Sequence, residues 1–539
     1  MHTMSGTGGS GRVHSSGLKK RPRIKSLKGE KYFSRALYFT ASSQAIPKPF
    51  PNMGHRLGYC GSEAMSKLST TLEALNFALE REDFEAGFAL LEAAFGSATR
   101  NDKVQLALHN AHLYSLYADG GVEEGLRALK VAGSLDFLIS QNPLYTALEA
   151  ELQAYGAREE DAAAMKGVGQ QATSALTGNL LARYHAAAAL SLLELNDEVL
   201  GVWLSLGWQE LPKHLHWRYF AWLGSVHEGL GNFEGAESAY RDAVDHAPRS
   251  QQAAMLAEQA ALNLSLERFE VAGLLLERAR EQMETDGGQE AQMLTQWHYL
   301  RAQTEMGLGR PDSAELHILE AKKLELEGGE ASYGVTLVHG QVLMALGRSL
   351  EALEQLKEAI EIAAPPDLPY ALHELGVALL DLDRILEAKE ALRRVLESEE
   401  YPFQPEVQAD LAESEYRLGN LHEAEEMAQA ALNLGAIVTA SLVLGAVALE
   451  YYHLDEALEH YSRALNESAE GSREWTLGHQ MLADILAQQG FQDPSRILEH
   501  AQKALERTPV SDEWHHTLEG YVTKASGILT QGHSSRTLN

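Results

Sequence analysis

The run from Trp217 to Ser250, WRYFAWLGSVHEGLGNFEGAESAYRDAVDHAPRS, restricts most strongly what this 539-residue chain can fold into. Its apolar and small residues recur at helical spacing, which predicts two antiparallel helices that pack closely against each other. Gly231 permits a tight turn between them, and Pro248 ends the second helix because proline cannot continue one. One helix pair cannot bury its own apolar face, so the run predicts a stack of such pairs.

This run resembles a tetratricopeptide repeat. The residues that carry the resemblance are Phe220, Leu223, Gly224, Gly231, Phe233, Ala236, Tyr240, Ala243 and Pro248. Further copies are marked by a small residue in the second helix, at Gly87, Gly125, Ala163, Gly201, Ala236, Ala272, Ala314, Ala352, Ala388, Ala424 and Ala457. Between the prolines the apolar spacing is helical throughout. We therefore expect an all-α fold, and the resemblance implies an α-solenoid of roughly twelve units.

Composition and repeat quality predict five segments. They are a disordered, basic, Gly/Ser-rich tail (1–64), degenerate repeats (65–216), regular repeats (217–510), a capping helix (511–530) and a disordered tail (531–539). Three interpretations of the first segment stay open. Its cluster Leu18–Lys25 could target the nucleus or bind phosphate, and its acid-poor composition could be that of an organelle transit segment. Alternatively it lies upstream of the true start at Met65, where the first predicted helix begins.

Charge is distributed unevenly along the chain. Of the 45 basic and 76 acidic residues, 11 and 2 lie in residues 1–64, which leaves a net charge of −40 on the remaining 475 residues. Such a body should repel nucleic acid and anionic membranes and favour basic partners. The simpler alternative is that the charge keeps a large chain with an apolar core in solution. A single cysteine, Cys60, excludes an internal disulfide and fits a reducing compartment, so we expect a cytoplasmic protein.

Sequence motifs for catalysis are absent. The letters GTGGSG at residues 6–11 match a dinucleotide fingerprint, but no predicted strand precedes them and no predicted helix follows. His214 and His216 flank Leu215, and His515 and His516 are adjacent, so that neither pair has the helical spacing of metal ligands. We therefore predict a chain without catalytic, cofactor or metal sites, one that does not insert into membranes.

The resemblance also implies a binding face, the concave surface lined by the first helix of each unit. By that analogy the candidate partner-binding residues are Tyr299, Gln303, Met306, Gln341, Met344, His373, Asp381, Glu413, Tyr416 and Glu450. Relatives that clamp a carboxylate at a chain end do so with Lys and Asn, which this sequence lacks at these places. Met, Tyr and carboxylate side chains instead suit a protein or peptide segment with apolar residues and basic flanks.

A second candidate is an aromatic cluster. It consists of Trp203, Trp208, Trp217 and Trp222, four of the seven tryptophans. Two interpretations stay open: aromatic packing at the junction of degenerate and regular repeats, or an anchor pocket for a partner.

Two classes of function follow from the resemblance. The first is a non-catalytic scaffold that binds partner segments on the concave face. The second is a regulatory sensor, in which a peptide or small ligand changes the superhelix and a bound effector; the marker spacing, 33 to 42 residues, resembles that of bacterial regulator domains with longer helices.

Overall fold

The computed structural model describes residues 63–117, 121–156, 162–286, 291–510 and 512–536. Residues 1–62 and 537–539 lie outside the described residues, and with them all but two residues of the predicted N-terminal tail and the last three residues of the predicted C-terminal tail. All regular elements within the described ranges are helices, and no strand occurs there. The structure thus confirms the predicted all-α solenoid, in which helices pair one after another along the chain.

The chain divides into two compact units between Arg348 and Ser349. The helices of the first unit are α1 (Glu63–Leu79), α2 (Phe84–Ser97), α3 (Arg100–Tyr117), α4 (Val122–Leu135), α5 (Pro143–Gly156), α6 (Ala162–Ala175), α7 (Leu180–Leu192), α8 (Asn196–Ser205), α9 (His216–Gly229), α10 (Phe233–His246), α11 (Arg249–Ser265), α12 (Phe269–Asp286), α13 (Ala291–Gly307), α14 (Pro311–Gly328) and α15 (Tyr333–Ala345). Short 3₁₀ turns lie at Ile139–Gln141, Trp208–Glu210 and Lys213–Leu215.

The helices of the second unit are α16 (Ser349–Ile362), α17 (Leu368–Asp381), α18 (Ile385–Val395), α19 (Gln404–Arg417), α20 (Leu421–Asn433), α21 (Ile437–Glu450), α22 (Leu454–Glu467), α23 (Arg473–Gln488), α24 (Pro494–Leu505) and α25 (Glu513–Arg536). Odd-numbered helices up to α23 are the first helices of the repeats, and even-numbered ones are the second helices. The last helix extends to Arg536, whereas the predicted capping helix ended at residue 530.

In three of the regular pairs, a glycine of the first helix faces a large side chain of the second: Gly224 faces Tyr240, Gly376 faces Leu392, and Gly445 faces Tyr461. A methyl group added at Gly224 would lie 2.6 Å from Cε1 of Tyr240, and one added at Gly376 would lie 2.6 Å from Cγ of Leu392. The alanines that mark the second helices of the regular repeats are fully buried: Ala236, Ala272, Ala314, Ala352, Ala388, Ala424 and Ala457. Small residues thus set the distance between the paired helices, as the sequence predicts.

The turns from first to second helices share a left-handed residue. Glycine supplies it at Gly231, Gly309, Gly347 and Gly419, where φ is between 71° and 82°. Other repeats place a residue with a side chain there, at Glu82, Glu194, Glu267, Asp383, Tyr452 and Phe491, with φ of 57° or 58°. Because a left-handed conformation is unfavourable for residues with a Cβ atom, these six turns store backbone strain that the helix packing must offset.

One marker of the degenerate repeats is wrong. Gly201 is exposed, and a methyl group added to it would meet nothing within 4 Å. The residues that α8 buries are Val199 and Trp203, so the sequence register of this copy was misplaced by two residues. Gly87 and Gly125 are buried, and a methyl group there would contact Leu side chains of neighbouring helices.

The α-helices range from 10 to 24 residues in length. Among the residues that the structure describes, none of them combines the length and the apolar character that crossing a membrane requires.

Candidate partner-binding surfaces

The predicted binding residues of the first unit lie on α13 and α15, and they are largely covered. Tyr299 is only 1 % exposed and packs in a core that also contains Ile318 and Val335. The expectation that Tyr299 lines an open face is therefore wrong, because its ring fills the space between neighbouring repeats. The other four predicted residues of this unit are half-buried: Gln303, Met306, Gln341 and Met344.

In the second unit the first helices α17, α19 and α21 also carry a partly accessible face. Its half-buried apolar members are Val377 on α17 and, one or two turns apart on α21, Leu442, Ala446 and Leu449. Glu413 and Tyr416 on α19 are half-buried, while Glu450 at the end of α21 is exposed. We call these seven residues the open first-helix face.

The carboxylates of this unit are partly neutralised by arginines of the same chain. Asp381 forms an ion pair with Arg473, which lies at the start of α23. Glu413 accepts a hydrogen bond of 2.5 Å from Arg417, whose guanidinium also donates to the carbonyl of Leu380 at 2.7 Å. A basic partner would therefore have to compete with these arginines at Asp381 and Glu413, since both carboxylates already have a cation beside them.

Glu450 has a different neighbour. The hydroxyl of Tyr416 lies 3.4 Å from its Oε1 atom, and burial together with that carboxylate raises the pKa of Tyr416. Next to Glu450, Tyr451 and Tyr452 are exposed, Tyr452 at 87 %. The sequence analysis did not single out these two tyrosines, because they stand in a turn rather than on a helix face. Their position places an aromatic edge beside the open first-helix face.

His373 is the centre of a hydrogen-bonded triad. Its Nδ1 atom lies 2.8 Å from the hydroxyl of Tyr401, and its Nε2 atom lies 2.8 Å from Oδ2 of Asp410. Burial, then the nearby carboxylate of Glu374, raises the pKa of Tyr401, which keeps its hydroxyl protonated. The triad fixes α17 against α19, so His373 serves packing first and offers only a partly exposed edge to a partner.

The tryptophan cluster is mostly core. Trp203, Trp217 and Trp222 are buried, and only Trp208 is partly exposed. The indole of Trp203 donates to the hydroxyl of Ser191 at 2.9 Å, which satisfies its polar atom inside the protein. An open anchor pocket is therefore wrong for the three buried residues, and the aromatic-packing interpretation describes them.

A buried polar constellation that the sequence analysis missed lies beside these tryptophans. We call it the histidine chain, and its members are Glu151 (α5), His185 (α7), His112 (α3) and His214 (in the 3₁₀ turn before α9). Oε2 of Glu151 lies 2.5 Å from Nδ1 of His185, and Nε2 of His185 lies 2.8 Å from Nδ1 of His112. Nε2 of His112 in turn lies 3.2 Å from Nε2 of His214. All four side chains are buried.

An ion pair extends this constellation toward α1. The guanidinium of Arg218 (α9) donates to both carboxylate oxygens of Glu82 at 2.8 and 2.6 Å, and to the carbonyl of His214 at 2.9 Å. Arg218 also lies over the ring of Trp217, 4.3 Å from its centre. Side chains on or next to the first helices α3, α5, α7 and α9 therefore pack against one another. We call the surface of these helices that these side chains cover the inner face.

Metal binding by these groups finds no support. Within the described ranges, no group of three or more His, Cys, Asp or Glu side chains is arranged to hold a metal ion. The contacts of the histidine chain are those of hydrogen-bonded imidazoles.

The family comparison agrees with the repeat geometry. A model of the tetratricopeptide repeat matches residues 218–249 and 369–401, which correspond to α9–α10 and to α17–α18 with the following turn. These two stretches are tetratricopeptide repeats. The two matched copies are those in which Gly224 and Gly376 bring the paired helices together.

Chains in solved structures are also similar to this one. One is a chain from the crystal structure of the APC/C hetero-tetramer Cut9–Hcn1, with 13 % identity, a TM-score of 0.41, and coverage of 86 % of this chain and 97 % of that chain. Another is the C-terminal part of a TPR repeat-containing protein from Cytophaga hutchinsonii, with 13 % identity, a TM-score of 0.28, and coverage of 48 % of this chain and 97 % of that chain. No curated protein matches the sequence.

Proposed function

We propose that this protein is a non-catalytic scaffold that binds a segment of a partner protein on the open first-helix face of its second unit. Tetratricopeptide repeats support protein–protein interaction as the general class of function. The observation that carries the finer proposal is the set of partly accessible apolar side chains on α21. Tyr299 and Leu337 are buried on α13 and α15, whereas Leu442, Ala446 and Leu449 on α21 are half-exposed.

The chemistry of this face favours a segment with apolar residues and basic flanks. Leu442 and Leu449 offer apolar contact, and desolvating them on binding would supply most of the affinity. Glu450 offers a carboxylate without an arginine contact among the described residues, and so it is the strongest attraction for a Lys or Arg. The partner is thus a peptide-like segment rather than nucleic acid, since this face carries carboxylates.

Two pairs of variants test the proposal on a partner recovered by affinity purification of the full chain. Leu442→Arg should weaken its binding at least tenfold, because it places a charge in the centre of the apolar contact. Leu316→Arg is the matched control, since Leu316 is an exposed leucine on the second helix α14. Glu450→Lys should weaken binding more than Glu423→Lys, whose carboxylate is exposed on α20. Equal effects within both pairs would place the partner elsewhere.

A further inference from the structure

Glu151 determines which nitrogen donates and which accepts at each contact of the histidine chain. A carboxylate can only accept hydrogen bonds, so His185 must donate from Nδ1. If His185 is neutral, its bare Nε2 accepts from Nδ1 of His112, and Nε2 of His112 then accepts from Nε2 of His214. Nδ1 of His214 is left without a hydrogen. It is buried and has no hydrogen-bond partner among the residues that the structure describes.

The histidine chain can hold one extra proton without losing any of its three hydrogen bonds. If that proton makes His185, His112 or His214 an imidazolium, the remaining hydrogens shift so that every contact keeps one donor and one acceptor. In each of these three forms Nδ1 of His214 carries a hydrogen. If the extra proton sits on Glu151 instead, its hydroxyl donates to Nδ1 of His185, and donor and acceptor are exchanged at every later contact. All three hydrogen bonds are then kept, and Nδ1 of His214 again carries a hydrogen.

A second extra proton cannot be accommodated. Two imidazolium rings within the chain place an N–H group against another N–H group, or they require the ring between them to have no hydrogen at all. One contact must therefore break, and two like charges must share a buried space. In the same sense, burial and then the neighbouring histidines lower the pKa of His112 well below 6.5. The pKa of His214 is also lowered well below 6.5, by burial and then by Arg218.

Two neighbouring groups, His109 and Arg218, act in the same direction on the histidine chain. His109, on α3, is also a neighbour, and burial lowers its pKa to about 4. Arg218 is the cation next to His214, and it is neutralised by Glu82 rather than by the chain. Tyr184 on α7 packs its ring edge-to-face on His185 at 5.3 Å, and His216 follows His214 at the start of α9. Glu151 is the carboxylate that contacts the chain directly.

We propose that the histidine chain is a proton-operated lock, which holds the first helices α3, α5, α7 and α9 together at neutral pH and releases them when a second proton enters. The chain joins residues that are far apart in sequence: His112 and His185 are 73 positions apart, and His112 and His214 are 102 apart. Loss of one contact therefore separates helices that belong to different repeats. Release exposes the inner face that these side chains fill, and so adds binding surface to the first unit in mild acid.

The pH dependence has a definite sign. In the locked form the pKa values of His112 and His214 lie below 6.5, whereas in the opened form they return to about 6.5. The lock is therefore fully closed above pH 6.5 and weakens as the pH falls below it. Each extra proton bound by the opened form multiplies the opening equilibrium constant about tenfold per pH unit.

Hydrogen exchange of the full-length chain at pH 7.5 and pH 5.0 tests the lock, with protection factors corrected for the intrinsic exchange rate. Between pH 6.5 and pH 5.0 one extra proton gives an increase in opening of about 30-fold, and two give about 1000-fold. We expect peptides from α3, α5 and α7 to lose protection by at least 30-fold. Peptides from α19 and α21 are the internal reference and should change less than threefold. Equal changes in the two sets would overturn the proposal.

A variant separates proton binding from packing. In His214→Gln the side-chain amide can still donate to Nε2 of His112 but cannot take up a proton. We expect it to stay protected at pH 7.5 and to lose at least tenfold less protection at pH 5.0 than the wild-type chain. His516→Gln is the control, because His516 is fully exposed and should keep the wild-type response. An unchanged response in His214→Gln would refute the lock, and if this variant fails to fold, the wild-type comparison alone decides.

Discussion

The substitution Gly376→Ala tests how closely the helices of a repeat approach each other. The added methyl group would lie 2.6 Å from both Cγ and Cδ2 of Leu392, a fully buried residue of α18. Moving Cγ away requires a change in χ1, for which a fully buried leucine has no free space, so α17 and α18 must separate instead. Overpacking of this kind costs about 1–3 kcal/mol. Alanine regains about 0.5–1 kcal/mol through its better helix propensity, which leaves a net loss of about 1 kcal/mol at the middle of the two ranges.

The matched control is Gly201→Ala. Gly201 lies in the middle of α8, is exposed, and has open space where the methyl group would go. The same chemical change should therefore stabilise this helix by about 0.5–1 kcal/mol. Hydrogen exchange is the assay, because stability in a repeat protein is a sum of local terms and its change is local. We expect faster exchange in α17, α18 and their neighbours for Gly376→Ala, and slower exchange in α8 for Gly201→Ala. Equal stabilisation by both substitutions would refute the close-approach argument.

Three further predictions concern strain, buried charge and salt. Tyr452→Gly should stabilise the second unit by about 1 kcal/mol in chemical denaturation, because Tyr452 has a φ of 58° and an exposed side chain. Gly419→Ala, at the equivalent turn of another repeat, should destabilise the unit. Arg218→Met should lower the free energy of unfolding by about 3–5 kcal/mol, because it leaves the Glu82 carboxylate buried without its cation. Adding Glu82→Gln to that variant should recover most of the loss. No recovery in thermal unfolding would contradict the ion-pair argument. Raising salt from low to physiological strength should weaken partner binding only severalfold, because Asp381 and Glu413 already have arginine partners; complete loss of binding would show that charge dominates.

The sequence predicted the helix pairs because each depends on residues close together in the chain. Gly224 and Tyr240 are 16 positions apart, and proline positions such as Pro311 and Pro494 coincide with the first residues of helices. The regular repeats follow one pattern, so the marker alanines fall at buried positions. Gly201 was misplaced because its repeat departs from that pattern and uses Val199 and Trp203 as its buried residues.

The sequence could not predict which parts of the first-helix face stay open. Tyr299 stands at a position that faces outward in an isolated repeat, and it is buried only because the neighbouring repeat supplies Val335 and other core residues. The histidine chain depends on contacts between residues 73 and 102 positions apart. In the sequence, His112 and His185 lie on helices of different repeats, so no local signal pairs them. Contacts of this range depend on how successive repeats rotate against each other, which no single repeat records.

The measurement that tests the central claim most directly is hydrogen exchange of the full-length chain with and without its purified partner. If the open first-helix face is the binding site, the partner should slow exchange in α17, α19 and α21 at neutral pH, with the strongest effect around Leu442 and Tyr416. It should leave exchange in α3, α5 and α7 unchanged, because the inner face of those helices is filled by the histidine chain. Slower exchange confined to the first unit, or to the second helices α18, α20 and α22, would contradict this assignment of the binding surface.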